Sequence, residues 1–239
     1  VLITKQGNEI AAFIFEPLVL GAGGMIMYEA EVLDKLLSLC RNNNILCVAD
    51  EVMTGFGRTG TFFAIDQLKN KPDIICLSKG ITGGVMPLGV TVCSEQIFNA
   101  FLSDDKTKTF FHGHSYTANA IACSAACANL DLMEQDSTFE SIRMIEKMQK
   151  RFANDLNVKK GVQRARAKGV ILAVELQSDD NTHYLNEIRE KIYPFFIDRG
   201  ILLRPLGNII YVIPPYCIKS NELEYIYTGI LNFLEMNFH

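Results

Sequence analysis

Residues 45–51 have the sequence ILCVADE, an apolar run that ends in two carboxylates. Five apolar residues between turn signals predict a short buried strand, here residues 45–49. The turn signal before the strand is the asparagine triplet at residues 42–44, which ends a helical repeat of apolar side chains. That repeat comprises Val32, Leu33, Leu36, Leu37 and Cys40. The sequence therefore predicts a helix followed by a strand that carries Asp50 and Glu51 at its C-terminal end.

Similar apolar runs lie on both sides of this strand along the chain. Residues 10–15 are followed by Glu16, and residues 74–77 are followed by Ser78 and Lys79. Strands that alternate with helical segments are typical of a wound α/β fold. We therefore expect an α/β fold with a mainly parallel sheet in this part of the chain.

The character of the sequence changes after about Gln135, so we expect two domains. Residues 1–135 predict a large α/β domain, which includes a fourth strand at 90–93, of undetermined direction, and a core helix at 118–133. Residues 136–239 predict a smaller α/β domain. Its expected elements are a helix at 139–156, a strand at 170–176, a helix at 184–196, a hairpin of residues 201–204 and 209–213, and a closing helix at 223–234.

The composition is typical of a folded protein that acts on small molecules. Apolar residues make up 49% and charged residues 21% of the 239 residues, which excludes a disordered chain. A net charge of -4 without a long basic cluster gives no footprint for nucleic acid or for an anionic membrane. No run approaches the roughly 20 apolar residues of a membrane span. Seven cysteines, mostly in apolar runs and without a CxxC pair, predict reduced thiols in a cytoplasmic protein.

Polar side chains follow the predicted strands: Glu16, Asp50 with Glu51, and Ser78 with Lys79. Ligands bind at the carboxyl ends of strands in open α/β sheets, so we expect these side chains around one crevice. A pyridoxal cofactor needs an amine to form a Schiff base and a carboxylate to keep its ring nitrogen protonated. Lys79 and Asp50 fit these two roles, whereas either residue alone is typical of a solvated loop.

Two motifs have competing interpretations. Residues 55–60, GFGRTG, match the glycine pattern of dinucleotide sites, but four residues separate them from the strand and Pro72 ends any helix that follows. We therefore expect no nicotinamide cofactor. His112 and His114 are separated by a single residue and have no third ligand nearby in the sequence, so we expect no metal site.

The segment 112–115, HGHS, precedes the predicted helix near Thr117. Ser115 and nearby backbone amides would suit a phosphate at a helix N-terminus, or Ser115 or Thr117 would simply cap the helix. Arg204 lies in the predicted apolar hairpin, where a buried charge needs a carboxylate partner. That partner is either a structural acid or a substrate carboxylate, and Tyr211 on the facing strand would line the same pocket.

Several of these motifs resemble those of one family, the class III aminotransferases of fold type I. The matching segments are residues 15–17 (FEP), 49–52 (ADEV), 54–60 (TGFGRTG) and 78–80 (SKG). A second set resembles the branch of the family that acts in biotin synthesis. It comprises residues 21–25 (GAGGM), 82–84 (TGG), 111–119 (FHGHSYTAN), 204–207 (RPLG) and 214–216 (PPY), with Tyr211. The resemblance runs over nearly the whole chain.

This resemblance implies that pyridoxal 5'-phosphate is the cofactor and gives roles to individual residues. Lys79 would be the Schiff-base lysine, Asp50 would pair with the pyridine nitrogen, and Val52 would pack on the ring face. Ser115 would contact the cofactor phosphate of the neighbouring subunit in a homodimer. The other cofactor-binding residues would be Glu16 and His112.

The resemblance also implies a substrate and a reaction. Arg204 would bind the carboxylate of the keto substrate, and Gly113 and Tyr211 would line its pocket. The reaction would be amino transfer from S-adenosylmethionine, or from lysine in some members, to 8-amino-7-oxononanoate, giving 7,8-diaminononanoate. A rival expectation is a class III enzyme for an ω-amino acid such as 4-aminobutyrate or ornithine.

The chain departs from the family in its length. Members of the family are considerably longer, and their N-terminal portion supplies a phosphate loop and substrate contacts for which this sequence, which begins at Val1, has no equivalent. We therefore expect a fragment or one piece of a split enzyme, and we do not expect full activity from the 239 residues alone. The second rival expectation is a non-catalytic remnant that keeps only the fold.

Overall fold

The chain forms two compact units in the computed structural model, which describes residues 2–178 and 188–238. Unit 1 comprises Val1–Leu18, Tyr28–Phe56 and Phe62–Gln135. Unit 2 comprises Val19–Met27, Gly57–Thr61 and Asp136–His239. Two short early segments thus group with the second unit, although the sequence suggested one continuous stretch for each domain. The assignment of cofactor binding to residues 1–135 stays a prediction.

The described part of the chain contains both strands and helices. The strands are β1 Ala12–Phe15, β2 Val19–Leu20, β3 Ile26–Met27, β4 Leu46–Asp50, β5 Ile74–Leu77, β6 Val90–Cys93, β7 Val162–Lys168, β8 Ile171–Leu176 and β9 Ile209–Val212. The α-helices are α1 Leu2–Gln6, α2 Ala30–Asn42, α3 Glu95–Phe101, α4 Ala120–Met133, α5 Asp136–Leu156, α6 Ile188–Ile197 and α7 Ser220–Asn237. The 3-10 helices are Gly7–Glu9, Ala64–Gln67, Lys79–Thr82 and Lys106–Lys108. None of these helices is both long and apolar enough to cross a membrane.

The sheet of unit 1 has four strands in the order β1, β4, β5, β6. The first three are parallel, and β6 runs antiparallel to β5, which settles the direction that the sequence left open. β5 and β6 have the predicted bounds, β1 begins two residues later than predicted, and β4 is shifted by one residue. The expected α/β fold with a mainly parallel sheet is confirmed.

The two faces of this sheet differ in burial. α2 packs on β4 and buries Leu33, Leu37 and Cys40 along one side of the helix. Side chains alternate across a strand, so Cys47, which faces the Cys40 thiol, is buried, whereas its neighbour Leu46 is 41% exposed. Ile14 of β1 is 69% exposed. One face of the sheet is therefore covered by a helix, and the other presents apolar side chains.

Unit 2 contains a three-stranded antiparallel sheet with β8 between β7 and β9. α5 packs on β7 and β8, and α7 contacts α5 and α6. Ile171, Leu172, Ala173 and Val174 of β8 have no solvent-exposed surface. β8 is therefore the centre of the core of unit 2.

A hydrogen-bonded glutamine lies inside this core. Gln149 of α5 is fully buried, and its Nε2 donates to Val170 O at 3.2 Å and to Val212 O at 3.4 Å. Its Oε1 accepts a hydrogen bond from the hydroxyl of Tyr227 at 3.0 Å, and the Tyr227 ring stacks on Phe152 with ring centroids 4.0 Å apart. Burial raises the pKa of Tyr227, so this hydroxyl stays a neutral donor.

The structure corrects the predicted elements of unit 2 in three places. The predicted hairpin is wrong, because residues 201–205 form no strand and β9 pairs with β8. β7, at Val162–Lys168, was not predicted. The predicted helix at 184–196 corresponds to α6 from Ile188 onwards, and its first part lies outside the described residues.

Candidate functional site

Three polar side chains follow the parallel strands of unit 1 at a common edge of the sheet. Glu16 follows β1, Asp50 ends β4, and Lys79 lies two residues after the end of β5. The register pairs Asp50 with Cys76, three residues before Lys79. Because β1, β4 and β5 are parallel, their carboxyl ends share this edge, where ligands of α/β folds bind. The structure thus brings the two predicted catalytic residues to one edge of one sheet.

The Asp50 carboxylate is held by the backbone that follows it. Asp50 Oδ1 accepts a hydrogen bond from Val52 N at 3.0 Å, and both residues are partly buried. Within the described part of the chain, no hydrogen bond is donated to the other oxygen, Oδ2. Asp50 therefore has a fixed orientation and an oxygen with capacity to accept a further proton donor.

The next residue, Glu51, is fully buried and organises the loop after β4. Its Oε2 accepts a hydrogen bond from the hydroxyl of Thr54 at 2.5 Å, and its Oε1 accepts one from Ile65 N at 2.8 Å. Burial raises the pKa of Glu51, although these hydrogen bonds partly offset that effect. Glu51 ties the start of the loop at Thr54 to its end at Ile65.

Lys79 occupies a strained turn. It begins the 3-10 helix Lys79–Thr82, and its φ angle is 44°, a value that side-chain-bearing residues rarely adopt. The turn closes with a hydrogen bond from Ile81 N to Ser78 O at 3.1 Å. The hydroxyl of Ser78 donates to Leu88 O at 2.8 Å, and the Lys79 side chain is exposed. Strained backbone is found preferentially at functional sites, where the surrounding structure holds it in place.

Close packing holds the residue after Lys79. A Cβ atom placed on Gly80 would lie 3.0 Å from Cδ2 of Phe56, which is tighter than nearly all real contacts. Phe56 is buried and packs edge-on against Phe63, with ring centroids 5.5 Å apart. Because Gly80 has no side chain, the Lys79 turn can pack closely against Phe56.

The glycine-rich motif lacks the strand and long helix that flank it in dinucleotide sites. No long helix follows residues 55–60, because the next regular element is the 3-10 helix Ala64–Gln67. Within unit 2, Nη1 of Arg58 donates to Pro214 O at 3.0 Å, and the guanidinium lies 4.9 Å from the centroid of the Tyr216 ring. In unit 2 the Arg58 side chain therefore binds the segment that follows β9.

The predicted phosphate segment lies beside a cleft of unit 1. The cleft has a volume of about 930 Å³, and its lining includes Ser78, Leu88, His112, Tyr116 and Asn119. His112 and the residue that precedes Lys79 thus face the same cleft. Gly113 and Ser115 belong to the same exposed segment.

The helix after this segment begins later than predicted. α4 begins at Ala120 rather than near Thr117, and its N-cap is Asn119, not Ser115 or Thr117. Asn119 Oδ1 accepts hydrogen bonds from Ile121 N at 3.0 Å and from Ala122 N at 3.1 Å. The simple capping interpretation of Ser115 is therefore wrong, and its contact with a cofactor phosphate stays a prediction.

The predicted substrate residues Arg204 and Tyr211 belong to unit 2. Arg204 is exposed between the buried residues Leu203 and Pro205, so the argument from a buried charge in a hairpin does not hold. Tyr211 lies in β9 opposite Ala173 of β8 and is partly exposed. Their roles in substrate binding stay predictions.

Comparison with known proteins identifies the family. A family model described as aminotransferase class-III matches residues 1–234. The chain belongs to the class-III aminotransferases. This aminotransferase chain is 44% identical over 231 residues to adenosylmethionine-8-amino-7-oxononanoate aminotransferase of Synechococcus elongatus, and the match covers 95% of the chain and 53% of that relative.

Solved structures of other transaminases have the same fold as this aminotransferase chain. The crystal structure of adenosylmethionine-8-amino-7-oxononanoate aminotransferase from Methanocaldococcus jannaschii matches with a TM-score of 0.91 and 33% identity, over 98% of this chain and 56% of that one. A PLP-bound amine transaminase from an uncultivated Pseudomonas species matches with a TM-score of 0.88 and 32% identity, over 98% of this chain and 54% of that one. The chain therefore spans about half the length of the relatives it matches.

The family of this aminotransferase, and its likeness to a PLP-bound transaminase, imply pyridoxal phosphate as the cofactor. The resemblance inferred from the sequence is thus confirmed, and the nicotinamide alternative is set aside. The chemistry of the residues fits this cofactor, because one sheet edge carries a primary amine, Lys79, and an oriented carboxylate, Asp50.

Two residues, Glu51 and Asn129, have structural roles that the sequence analysis missed. The sequence predicted Glu51 only as one of two acidic residues after a strand. Its burial and its hydrogen bond from Ile65 N depend on the conformation of the loop that follows β4. Asn129 of α4 hydrogen-bonds the turn of Lys79 from 49 residues away in sequence. The only sequence signal for Asn129 is one amide in a helix of small apolar residues.

Proposed function

We propose that this chain takes part in a pyridoxal-phosphate-dependent transamination that converts 8-amino-7-oxononanoate to 7,8-diaminononanoate, with S-adenosylmethionine as amino donor. The observation that carries the proposal is the placement of Lys79 and Asp50 at one edge of a parallel sheet, in a chain 44% identical to an enzyme named for this substrate pair. Because the chain spans about half of that relative, the activity is proposed for the protein that contains it.

Lys79 is the residue that would hold the cofactor covalently. When bound, pyridoxal phosphate supplies an electron-withdrawing ring that stabilises negative charge on the substrate carbon. The Lys79 amine would condense with the cofactor aldehyde and, once displaced by the amino donor, would move a proton at that carbon. The exposed side chain on a strained turn leaves the amine accessible for both tasks.

The remaining cofactor contacts follow from the same edge and cleft. The Asp50 carboxylate, oriented by Val52 N, would hold a proton on the pyridine nitrogen, and the Val52 side chain would pack on the ring face. Ser115 would bind the phosphate group of the cofactor that is held by the neighbouring subunit. The other proposed cofactor contacts are Glu16 and His112.

The proposed substrate-binding residues are Arg204, Gly113 and Tyr211. The exposed guanidinium of Arg204 would bind the carboxylate of the keto substrate, because a planar guanidinium pairs with a carboxylate through two parallel hydrogen bonds. Gly113 and Tyr211 would line the pocket. Replacing Arg204 by lysine would then raise KM for the keto substrate more than it lowers kcat.

We also propose a cytoplasmic homodimer whose sites are shared between subunits. Support comes from exposed apolar side chains around the predicted phosphate segment. They are Phe98, Phe101, Phe110, Phe111, Tyr116 and Ile121. All seven cysteines are free thiols, which suits a reducing compartment. A monomeric mass at micromolar concentration in sedimentation equilibrium would contradict the dimer.

The decisive experiment traps the cofactor on the chain. Purified protein is mixed with pyridoxal phosphate, reduced with borohydride and digested, and the modified peptide is identified by mass spectrometry. We expect the adduct on Lys79, and none at this position in Lys79→Ala. The matched control is Lys69→Ala, which removes an exposed lysine of the same unit and should leave the adduct unchanged.

Each outcome of the trapping experiment has a separate meaning. An adduct spread over many lysines in the wild type and both variants would refute the role of Lys79. With the adduct on Lys79, product analysis with 8-amino-7-oxononanoate and a panel of donors decides the substrate. Turnover of 4-aminobutyrate or ornithine instead would favour an ω-amino acid aminotransferase, and no adduct in folded protein would favour a remnant without cofactor.

A further inference from the structure

The buried face of α4 carries one amide among apolar side chains. Ala122, Ala126 and Met133 are buried at helical spacing, and Asn129 lies on the same side of the helix, partly buried. An asparagine has low helix propensity, and a buried amide needs hydrogen-bond partners. The partners of Asn129 therefore explain why this side of the helix carries a polar residue.

Those partners are backbone carbonyls of the Lys79 turn. Asn129 Nδ2 donates to Gly80 O at 2.9 Å and to Ile81 O at 3.3 Å. Gly80 O also accepts from Gly83 N at 3.0 Å, within the turn itself. One side-chain amide of α4 thus holds the two residues that directly follow Lys79.

The fit around Asn129 is close. A Cβ atom placed on Gly83 would lie 3.0 Å from Oδ1 of Asn129, and Gly83 has a φ angle of 61°. On its other side, the turn packs on Phe56, as described above. The Phe56 ring packs against Gly80, and the Asn129 amide contacts Gly80, Ile81 and Gly83. Together they hold the turn in place without contacting the Lys79 side chain.

We propose that Asn129 is a positioning residue for Lys79: its amide keeps the strained turn in the conformation that presents the lysine amine to the cofactor. This inference rests on the proposed function for the role of Lys79, but not for the turn. A residue with φ of 44° relaxes to negative φ unless neighbouring contacts oppose the change. In this strained conformation Asn129 supplies two hydrogen bonds to the turn.

The first test is amide hydrogen exchange without cofactor, which is independent of any activity. The reporters are the amides of Ile81 and Gly83, which donate to Ser78 O and Gly80 O. In Asn129→Ala and Asn129→Asp we expect exchange at these two amides to accelerate by about tenfold, the effect of losing roughly one net hydrogen bond. Two variants are used because they share only the loss of the amide donor.

The matched control is Asn43→Ala in the same unit. Asn43 Nδ2 also donates to a backbone carbonyl, Leu39 O at 2.8 Å, but at the end of α2. We expect Asn43→Ala to leave exchange at Ile81 and Gly83 unchanged. An equal acceleration over all of unit 1 in the Asn129 variants would mean that Asn129 contributes only to stability, and the proposal would be wrong.

The second test measures cofactor attachment in the folded variants. The pyridoxal phosphate concentration for half-maximal trapping at Lys79 should rise by about tenfold in the Asn129 variants and stay constant in Asn43→Ala. Unchanged exchange and unchanged trapping would overturn the proposal. If the wild-type chain is not trapped at all, the proposed function fails, and the exchange result alone decides whether Asn129 holds the turn.

Discussion

The central strand of unit 2 and the first strand of unit 1 differ in how deeply their side chains are buried. Ile171 in β8 has no exposed surface, because helices and neighbouring strands cover it, whereas Ile14 in β1 is 69% exposed. Unit 2 is therefore stabilised by packing around one strand. Among the described residues of unit 1, one face of the sheet exposes apolar side chains such as Ile14, and hydrogen bonds of Glu51 and Asn129 hold the segments around Asp50 and Lys79.

The two kinds of stabilisation meet different structural requirements. Apolar packing gives stability without regard to any particular atom, whereas a catalytic amine and carboxylate must be held at fixed positions. The hydrogen bond from Asn129 Nδ2 to Gly80 O and the one from Ile65 N to Glu51 Oε1 hold such positions near the strand ends of unit 1. Substitutions in the two units should therefore differ in both size and kind of effect.

The largest expected effect is the loss of the Ile171 side chain. Ile171→Ala leaves a cavity in a close-packed core and should lower the free energy of unfolding by about 3 to 4 kcal/mol. The matched substitution Ile14→Ala removes a mostly exposed side chain and should cost less than about 1 kcal/mol. Urea unfolding followed by circular dichroism measures both. Equal losses would mean that another polypeptide covers Ile14 in solution.

A smaller effect is expected from the buried glutamine of unit 2. Gln149→Leu removes the donor to Val170 O and Val212 O and leaves the Tyr227 hydroxyl without its acceptor, so the free energy of unfolding should fall by about 2 kcal/mol. The control Gln163→Leu replaces an exposed glutamine of β7 and should change it by less than about 0.5 kcal/mol.

A second substitution sharpens this prediction. Adding Tyr227→Phe to Gln149→Leu removes the unpaired hydroxyl and should recover about 1 kcal/mol of the loss. No recovery would mean that the cost of Gln149→Leu comes from overpacking rather than from an unsatisfied hydroxyl.

The strands of unit 1 were predictable because local sequence determines them. The apolar runs that became β4 and β5 are short, lie between turn signals and end in polar residues, and the residues Asp50 and Lys79 follow directly from those ends. The direction of β6 was not predictable, because a four-residue apolar run fits either orientation of its neighbour.

The errors in unit 2 have tertiary causes. β7 contains Arg164, Arg166 and Lys168, which mask its strand pattern, and Arg166 is paired with Glu175 of β8 at 2.7 Å. The predicted hairpin failed because Asn208, by its side chain and its carbonyl, binds the backbone of Leu176 at the end of β8. Residues 201–205, which include Pro205, form no strand, and Leu206 makes a single antiparallel bridge with Ile209 of β9.

The supporting residues of the candidate site were beyond sequence reasoning for a similar reason. Asn129 and the turn of Lys79 are 49 residues apart, and no local pattern links an amide of one helix to carbonyls of a distant turn. Asn119, rather than Ser115, is the N-cap because α4 begins at Ala120, two residues later than the sequence pattern indicated. The sequence predicted which residue types would form the candidate site, but it did not predict the tertiary contacts that orient their side chains.

The smallest expected effect is the pH dependence due to Glu51. Burial raises the pKa of this carboxyl in the folded state above its value of 4.5 in the unfolded chain, so folding favours the protonated form. Its contribution to stability is therefore fully present below pH 4.5 and is lost as the pH rises through the raised pKa. Glu51→Gln cannot titrate, so the stability of the wild type relative to this variant should fall as the pH rises above 4.5. Urea unfolding at a series of pH values measures this difference, with Glu29→Gln, an exposed glutamate, as control. A constant difference across the series would show that the protonation of Glu51 is not coupled to folding, and the effect of burial on its pKa would have to be reconsidered.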